Sequence, residues 1–299
     1  MCKLGIHSVV WTAGSSRQDI ETTLTKTKEL GYDVVELSYP DPRNLDVAWL
    51  ARRLEELGLD VVISMGLPAD GDISSADEAV SRNGVAILET AVALTRDLGG
   101  TKLGGILTSA HGLARQPPTK AAWERSVSNL SRVADRARAA GVTLNLEIVN
   151  RFESNLLNTA AQGLAYLDDL GAPNVFLHLD TFHMHIEEPD LGLALRTAAG
   201  RIGYVHIGDS HRGYLGTGSV DFGSVFDALV AIGYDDFVTF ESFSSEIVDE
   251  NLSLKTAIWR NLWSDNVDLA RHARDFISLG LETARRKAEL AREAHRPPA

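Results

Sequence analysis

The 299-residue chain has one cysteine, three methionines and nine prolines. A lone cysteine cannot close an intrachain disulfide or build a thiolate metal cluster, so Cys2 reads as incidental. No stretch approaches the roughly 18 consecutive apolar residues of a membrane span. The opening residues, Met1 to His7, carry no apolar core of a signal peptide. Positive charge is also scarce: 29 Lys and Arg face 41 Asp and Glu, a formal net charge of −12. No basic run interrupts that excess, which repels a nucleic-acid backbone. These absences exclude membrane spans and disulfide scaffolds, argue against a nucleic-acid partner, and point to the cytoplasm. With 44% hydrophobic and 23% charged residues, the chain is also not disordered as a whole.

What is present is a strict alternation. Short apolar, β-rich runs fall at 3–10, 33–38, 60–65, 101–108, 142–148, 175–180, 202–207 and 237–242. Between them lie helical patterns at about 20–30, 47–57, 76–98, 121–140, 159–170, 191–199 and 222–232, with two further amphipathic pieces at 254–264 and 266–295. Gly31, Gly58, Gly100, Gly141, Gly171 and Gly233 stand where a helix hands over to the next strand. Eight such units predict an α/β fold, a (β/α)8 barrel with a C-terminal helical extension. A single domain over 1–299 is expected, with the extension over about 265–299 ending at Pro297-Pro298. No G-x-G-x-x-G follows the first strand, which argues against a doubly wound open sheet.

In such barrels chemistry sits at the C-terminal ends of the strands. Strands five to eight end in Glu147, Asp180, His206 and Glu241, each preceded by an apolar residue. One inward carboxylate is costly unless paired or metal-bound; one charged residue on each of four successive strands is hard to read as solvated ends. Three carboxylates and one imidazole suit Mn²⁺, Mg²⁺ or Co²⁺, with Zn²⁺ also acceptable. Arg151, Glu153, His183, His211 and Arg212 follow the same strands and are candidates for holding substrate. His178, two residues before Asp180, reads as a hydrogen-bonded core histidine one layer deeper. His7 and Glu36 either line the pocket or pack in the core, and Trp11 and Phe243 either wall an apolar side of it or do the same. Trp259 and Trp263, four apart on an expected helix, read as core or interface packing.

At these residues the sequence resembles the ketose 3-epimerases of the xylose-isomerase-like barrel superfamily, in the branch of D-tagatose, D-allulose and L-ribulose 3-epimerases. The motifs that carry it are Gly5-Ile6-His7-Ser8-Val9-Val10-Trp11-Thr12, Leu146-Glu147-Ile148-Val149-Asn150-Arg151-Phe152-Glu153 and His178-Leu179-Asp180-Thr181-Phe182-His183-Met184. Tyr204-Val205-His206-Ile207-Gly208-Asp209-Ser210-His211-Arg212-Gly213 and Phe240-Glu241-Ser242-Phe243 continue it. The resemblance covers about 1–280. It implies that Glu147, Asp180, His206 and Glu241 hold one divalent metal per subunit, Mn²⁺ first and Mg²⁺ or Co²⁺ next. It also implies that Glu147 and Glu241 are the acid and base, and that Glu153, His183 and Arg212 bind oxygens near C1 and C2 of a sugar. His7, Trp11 and Glu36 are further candidates for the substrate pocket. Family members work as dimers or tetramers, so a homodimer or homotetramer is expected. The loop Thr108-Ser109-Ala110-His111-Gly112 varies among members and bears on which sugar is preferred.

The chemistry suits the residues independently. Inverting C3 of a ketose removes a proton α to the C2 carbonyl and returns one to the other face. A metal stabilises the enediolate, and two carboxylates exchange acid and base roles with direction. The competing reading is an aldose–ketose isomerase or another polyol-acting member of the superfamily, where the proton at C1 moves. A metal-dependent DNA-repair endonuclease on the same barrel needs a basic face and more histidine ligands. A non-catalytic sugar-binding barrel has no use for both Glu147 and Glu241.

Overall fold

Eight parallel strands hydrogen-bond in sequence order and close on themselves, the first pairing with both the second and the eighth. The computed structural model describes residues 2–248 and 250–294. The strands are β1 Lys3–His7, β2 Val34–Ser38, β3 Asp60–Leu67, β4 Lys102–Ala110, β5 Thr143–Ile148, β6 Val175–Asp180, β7 Ile202–Ile207 and β8 Phe237–Phe240. The helices are α1 Arg17–Glu29, α2 Val47–Leu57, α3 Glu78–Asp97, α4 Lys120–Ala139, α5 Ala160–Leu170, α6 Thr181–Glu187, α7 Leu191–Thr197, α8 Phe222–Ala231, α9 Glu250–Thr256 and α10 Asn266–Ala294. The fold is the expected TIM barrel, and α10 is its C-terminal helix, laid against α8. The expected stop at Pro297-Pro298 lies outside the described residues.

Two apolar bodies hold the barrel. The larger lies between the outer faces of the strands and the helices and includes Ile6, Leu103, Leu146, Leu177 and Ile207. The smaller lies inside: Val34, Val62 and Tyr204, with Phe237 against them. This interior plug fills the lower barrel along with the buried Lys102 and Asn145, and the carboxylates and imidazoles gather toward the strand ends. Alternation then assigns the faces: His178 and Asp180, Tyr204 and His206, and Asn145 and Glu147 are two apart and share the inner side.

Local signals set most helix starts. Ser16 and Thr159 each form a capping box with the residue three positions on, Asp19 and Gln162. At the end of α3 the left-handed residue is Gly99 (φ +80), not the expected Gly100. Gly105 in β4 has φ +110, and a Cβ there would lie 2.1 Å from the Met65 carbonyl oxygen of the neighbouring strand, so only glycine fits this close approach. The helix expected over 254–264 is not formed. α9 ends at Thr256, Ala257 turns into a left-handed conformation (φ +55), and Ile258 to Asp265 run irregularly. Trp259 and Trp263 therefore do not share a helix face: Trp263 is buried while Trp259 is 66% exposed. Among the described residues no helix is long and apolar enough to cross a membrane.

Candidate active site

The ends of β5 to β8 bring Glu147, Asp180, His206 and Glu241 together, one potential ligand atom from each lying within 4.8 Å of the others. Each is aimed by its neighbours. Asp180 ends β6 and caps α6, its Oδ1 accepting the Phe182 amide at 2.7 Å, which leaves Oδ2 free to face the centre. His206 directs Nδ1 toward Glu241 Oε2 at 3.5 Å and Asp180 Oδ2 at 4.0 Å. That nitrogen is fully buried with no hydrogen-bond partner among the described residues. Leaving a buried acceptor unpaired costs about 1–3 kcal/mol, and a cation between it and the carboxylates would relieve that cost. The donor set, three carboxylates and one imidazole, fits a divalent ion of the Mn²⁺, Mg²⁺ or Co²⁺ kind.

Arg212 is the local positive charge. Its Nη1 donates to Asp180 Oδ2 at 2.8 Å and to Glu241 Oε2 at 2.6 Å. The guanidinium lies between the rings of Phe182 (3.9 Å) and Phe243 (4.9 Å). Its backbone is left-handed (φ +61), and its carbonyl accepts the Ser242 hydroxyl, which in turn accepts from Trp263 Nε1 at 2.8 Å. Burial pushes the Glu241 carboxyl up, but Arg212 and the neighbouring imidazoles outweigh it and hold the group well below the usual carboxylate range.

A second network fixes His183. Its Nδ1 accepts from the Asn150 backbone amide at 3.2 Å and from Asn150 Nδ2 at 2.8 Å. Nε2 therefore faces the centre, 3.6 Å from Glu147 Oε1 and 3.3 Å from Arg212 Nη2. Glu153 accepts from Asn150 Nδ2 at 3.0 Å and lies 3.1 Å from His111 Nε2. Burial raises its pKa, but His183, His111 and Arg212 reverse this and hold it at about 2. On the opposite side His7 Nε2 lies 3.2 Å from Ser64 Oγ, with Nδ1 accepting the Val9 amide.

Most of these groups open on one cavity of about 800 Å³, which also reaches Ile106, Phe243 and Leu252, while Asp180 and Asn150 stand behind its lining. His7, Glu36, Glu147, Glu153, His183, His206, Arg212 and Glu241 line it. Trp11 does not: it is buried in the main core, donating through Nε1 to Thr27 Oγ1 at 3.1 Å. Arg151 pairs with Glu187 on the surface, and His211 turns to Thr217 and to the Gly213 amide. His178 is buried as expected, but neither ring nitrogen is hydrogen-bonded among the described residues. It packs instead on His206 (4.0 Å between centroids) and Tyr204 (4.6 Å). Asn150, Ser64 and Tyr204 were not singled out in the sequence, although the last two sit at inward positions of their strands.

A profile of the xylose isomerase-like TIM barrel family matches residues 24–278. The L-ribulose 3-epimerase of Mesorhizobium japonicum is 65% identical over 99% of this chain and 100% of its own length. The ketose 3-epimerase of Arthrobacter globiformis is 47% identical over 92% of this chain and 95% of its own. The crystal structure of a Methylomonas D-allulose 3-epimerase in complex with D-allulose superposes with a TM-score of 0.91 at 44% identity, over 93% of this chain and 96% of that one. The chain belongs to the xylose isomerase-like TIM barrel family. Within it the chain falls among the ketose 3-epimerases and is an isomerase-class enzyme.

Proposed function

We propose that this enzyme inverts C3 of free ketoses of the L-ribulose, D-allulose/D-fructose and D-tagatose class, with one divalent ion per subunit, Mn²⁺ foremost, and that it works as a homodimer or homotetramer. The observation that carries the reading is the convergence of Glu147 and Glu241, from β5 and β8, on one four-ligand cluster at the floor of the cavity. When bound, the ion supplies a Lewis acid for the negative charge that develops on O2 as the C3 proton leaves. One carboxylate, as base, takes the proton from C3; the other, protonated, returns one to the opposite face, and the reverse reaction exchanges the roles. Arg212 and His183 present donors to the sugar oxygens near C1 and C2, and Glu153, held ionised, accepts from a hydroxyl. The name of the 65%-identical relative puts L-ribulose first among the substrates, and no cluster of Lys and Arg beside β7 and β8 favours a sugar phosphate.

The test is conversion of L-ribulose, D-allulose, D-fructose, D-tagatose and sugar phosphates in D₂O, with Mn²⁺ and with EDTA, followed by NMR. Deuterium entering at C3 of free ketoses, lost with EDTA, is the expected outcome. Label at C1 with aldose formation would replace epimerisation by isomerisation.

A further inference from the structure

Beneath the four-ligand cluster lies a buried set of polar groups that the proton transfers do not use. Glu36 on β2 reaches across the barrel to β7. Its Oε2 accepts from His206 Nε2 at 2.6 Å and also from the Tyr204 hydroxyl. That hydroxyl has one proton; given to the carboxylate, it leaves its oxygen to accept from the Thr239 hydroxyl 2.7 Å away. Glu36 Oε1 has no hydrogen-bond partner among the described residues and faces His7 Nε2 at 3.5 Å. Glu36 touches the cavity floor, yet its strongest bonds run backward, to a ligand candidate and to the tyrosine of the interior plug.

We propose that Glu36 is a positioning residue: it holds the His206 ring with its proton on Nε2 and its Nδ1 lone pair toward Asp180 and Glu241, so that the imidazole meets a divalent cation already oriented. Tyr204, bonded to the same carboxylate oxygen, fixes Glu36 in turn. An imidazole ligates only through a nitrogen that carries no proton, and a carboxylate on its other nitrogen settles which one that is and makes the ligand more basic. The unpartnered Nδ1 and the 2.6 Å bond at Nε2 are the two halves of that arrangement. Glu36 also adds a fourth buried carboxylate beside the three of the cluster, negative charge that draws a cation inward.

This inference rests on the metal reading above, and the experiment separates the two. The protein is stripped of metal, then titrated with Mn²⁺ by calorimetry and with Co²⁺ by visible absorption. Glu36→Gln keeps an acceptor for Nε2 but removes the charge; Mn²⁺ should bind about 10–100-fold more weakly, with an altered Co²⁺ spectrum. Melting of the metal-free variant should be unchanged or lowered, since the buried His206 imidazole loses its charged partner. Tyr204→Phe, one bond further from the ion, should weaken Mn²⁺ by a smaller factor and carries the test if Glu36→Gln does not fold. Mn²⁺ affinity equal to wild type in the folded variants, with or without a loss of stability, overturns the positioning role. A wild-type protein that binds neither ion overturns the metal reading itself.

Discussion

The two halves of the barrel mouth are unlike. Strands β5 to β8 end in Glu147, Asp180, His206 and Glu241, with Arg212 set among them. Strands β1 to β4 bring His7, Glu36, Ser64 and Ile106 to the same cavity, and the carboxylate of Glu36 bonds across the barrel to His206. A closed sheet permits this division. Charges collected on one half are paired with Arg212 and grouped as a candidate cation site, while the other half supplies orientation and walls. The price of burying several carboxylates is thereby confined to one place.

The division is broken most directly at Glu147 or Glu241. Glu147→Gln and Glu241→Gln should each lose about 10²–10⁴-fold in turnover while still binding Mn²⁺, if more weakly; full activity in either would remove it from the acid–base pair. Metal comes next. EDTA should abolish activity and Mn²⁺ restore it, and Mn²⁺ at a hundred times its Kd should add about 2.7 kcal/mol of folding stability, read as a shift in Tm. On the other half, Thr27→Val should cost about 1–3 kcal/mol by leaving the buried Trp11 Nε1 unpaired, measured by urea unfolding. KM for L-ribulose should be unchanged, and a raised KM would return Trp11 to the pocket. The smallest effect belongs to Trp259→Ala, which should stay within about 0.5 kcal/mol of wild type because the ring is 66% exposed.

Much of this was legible because periodicity is local. The order of strands and helices follows from alternating apolar runs, and the inward set on β5 to β8 follows from counting in twos along each strand. Local counting fails where the backbone changes its geometry. Trp11 lies past the 3₁₀ turn Ser8–Val10, which breaks the strand alternation and sends the ring into the core. Trp259 sits beyond Ala257, whose positive φ ends the helix that spacing had suggested. His183 stands in α6, an unexpected helix whose cap is Asp180 itself, so one turn carries both a ligand candidate and a substrate-binding candidate.

The sequence alone therefore determined the barrel, its inward faces and the donor types that gather at its mouth, since each depends on neighbours within a few residues. Only the tertiary structure decided that Glu36 bonds to His206, 170 positions away, and that Asn150 holds His183 and Glu153 together. It alone decided that Trp11 belongs to the core. Those pairings are set by closure of the sheet and by side-chain reach across it, and no local pattern along the chain encodes such a distance.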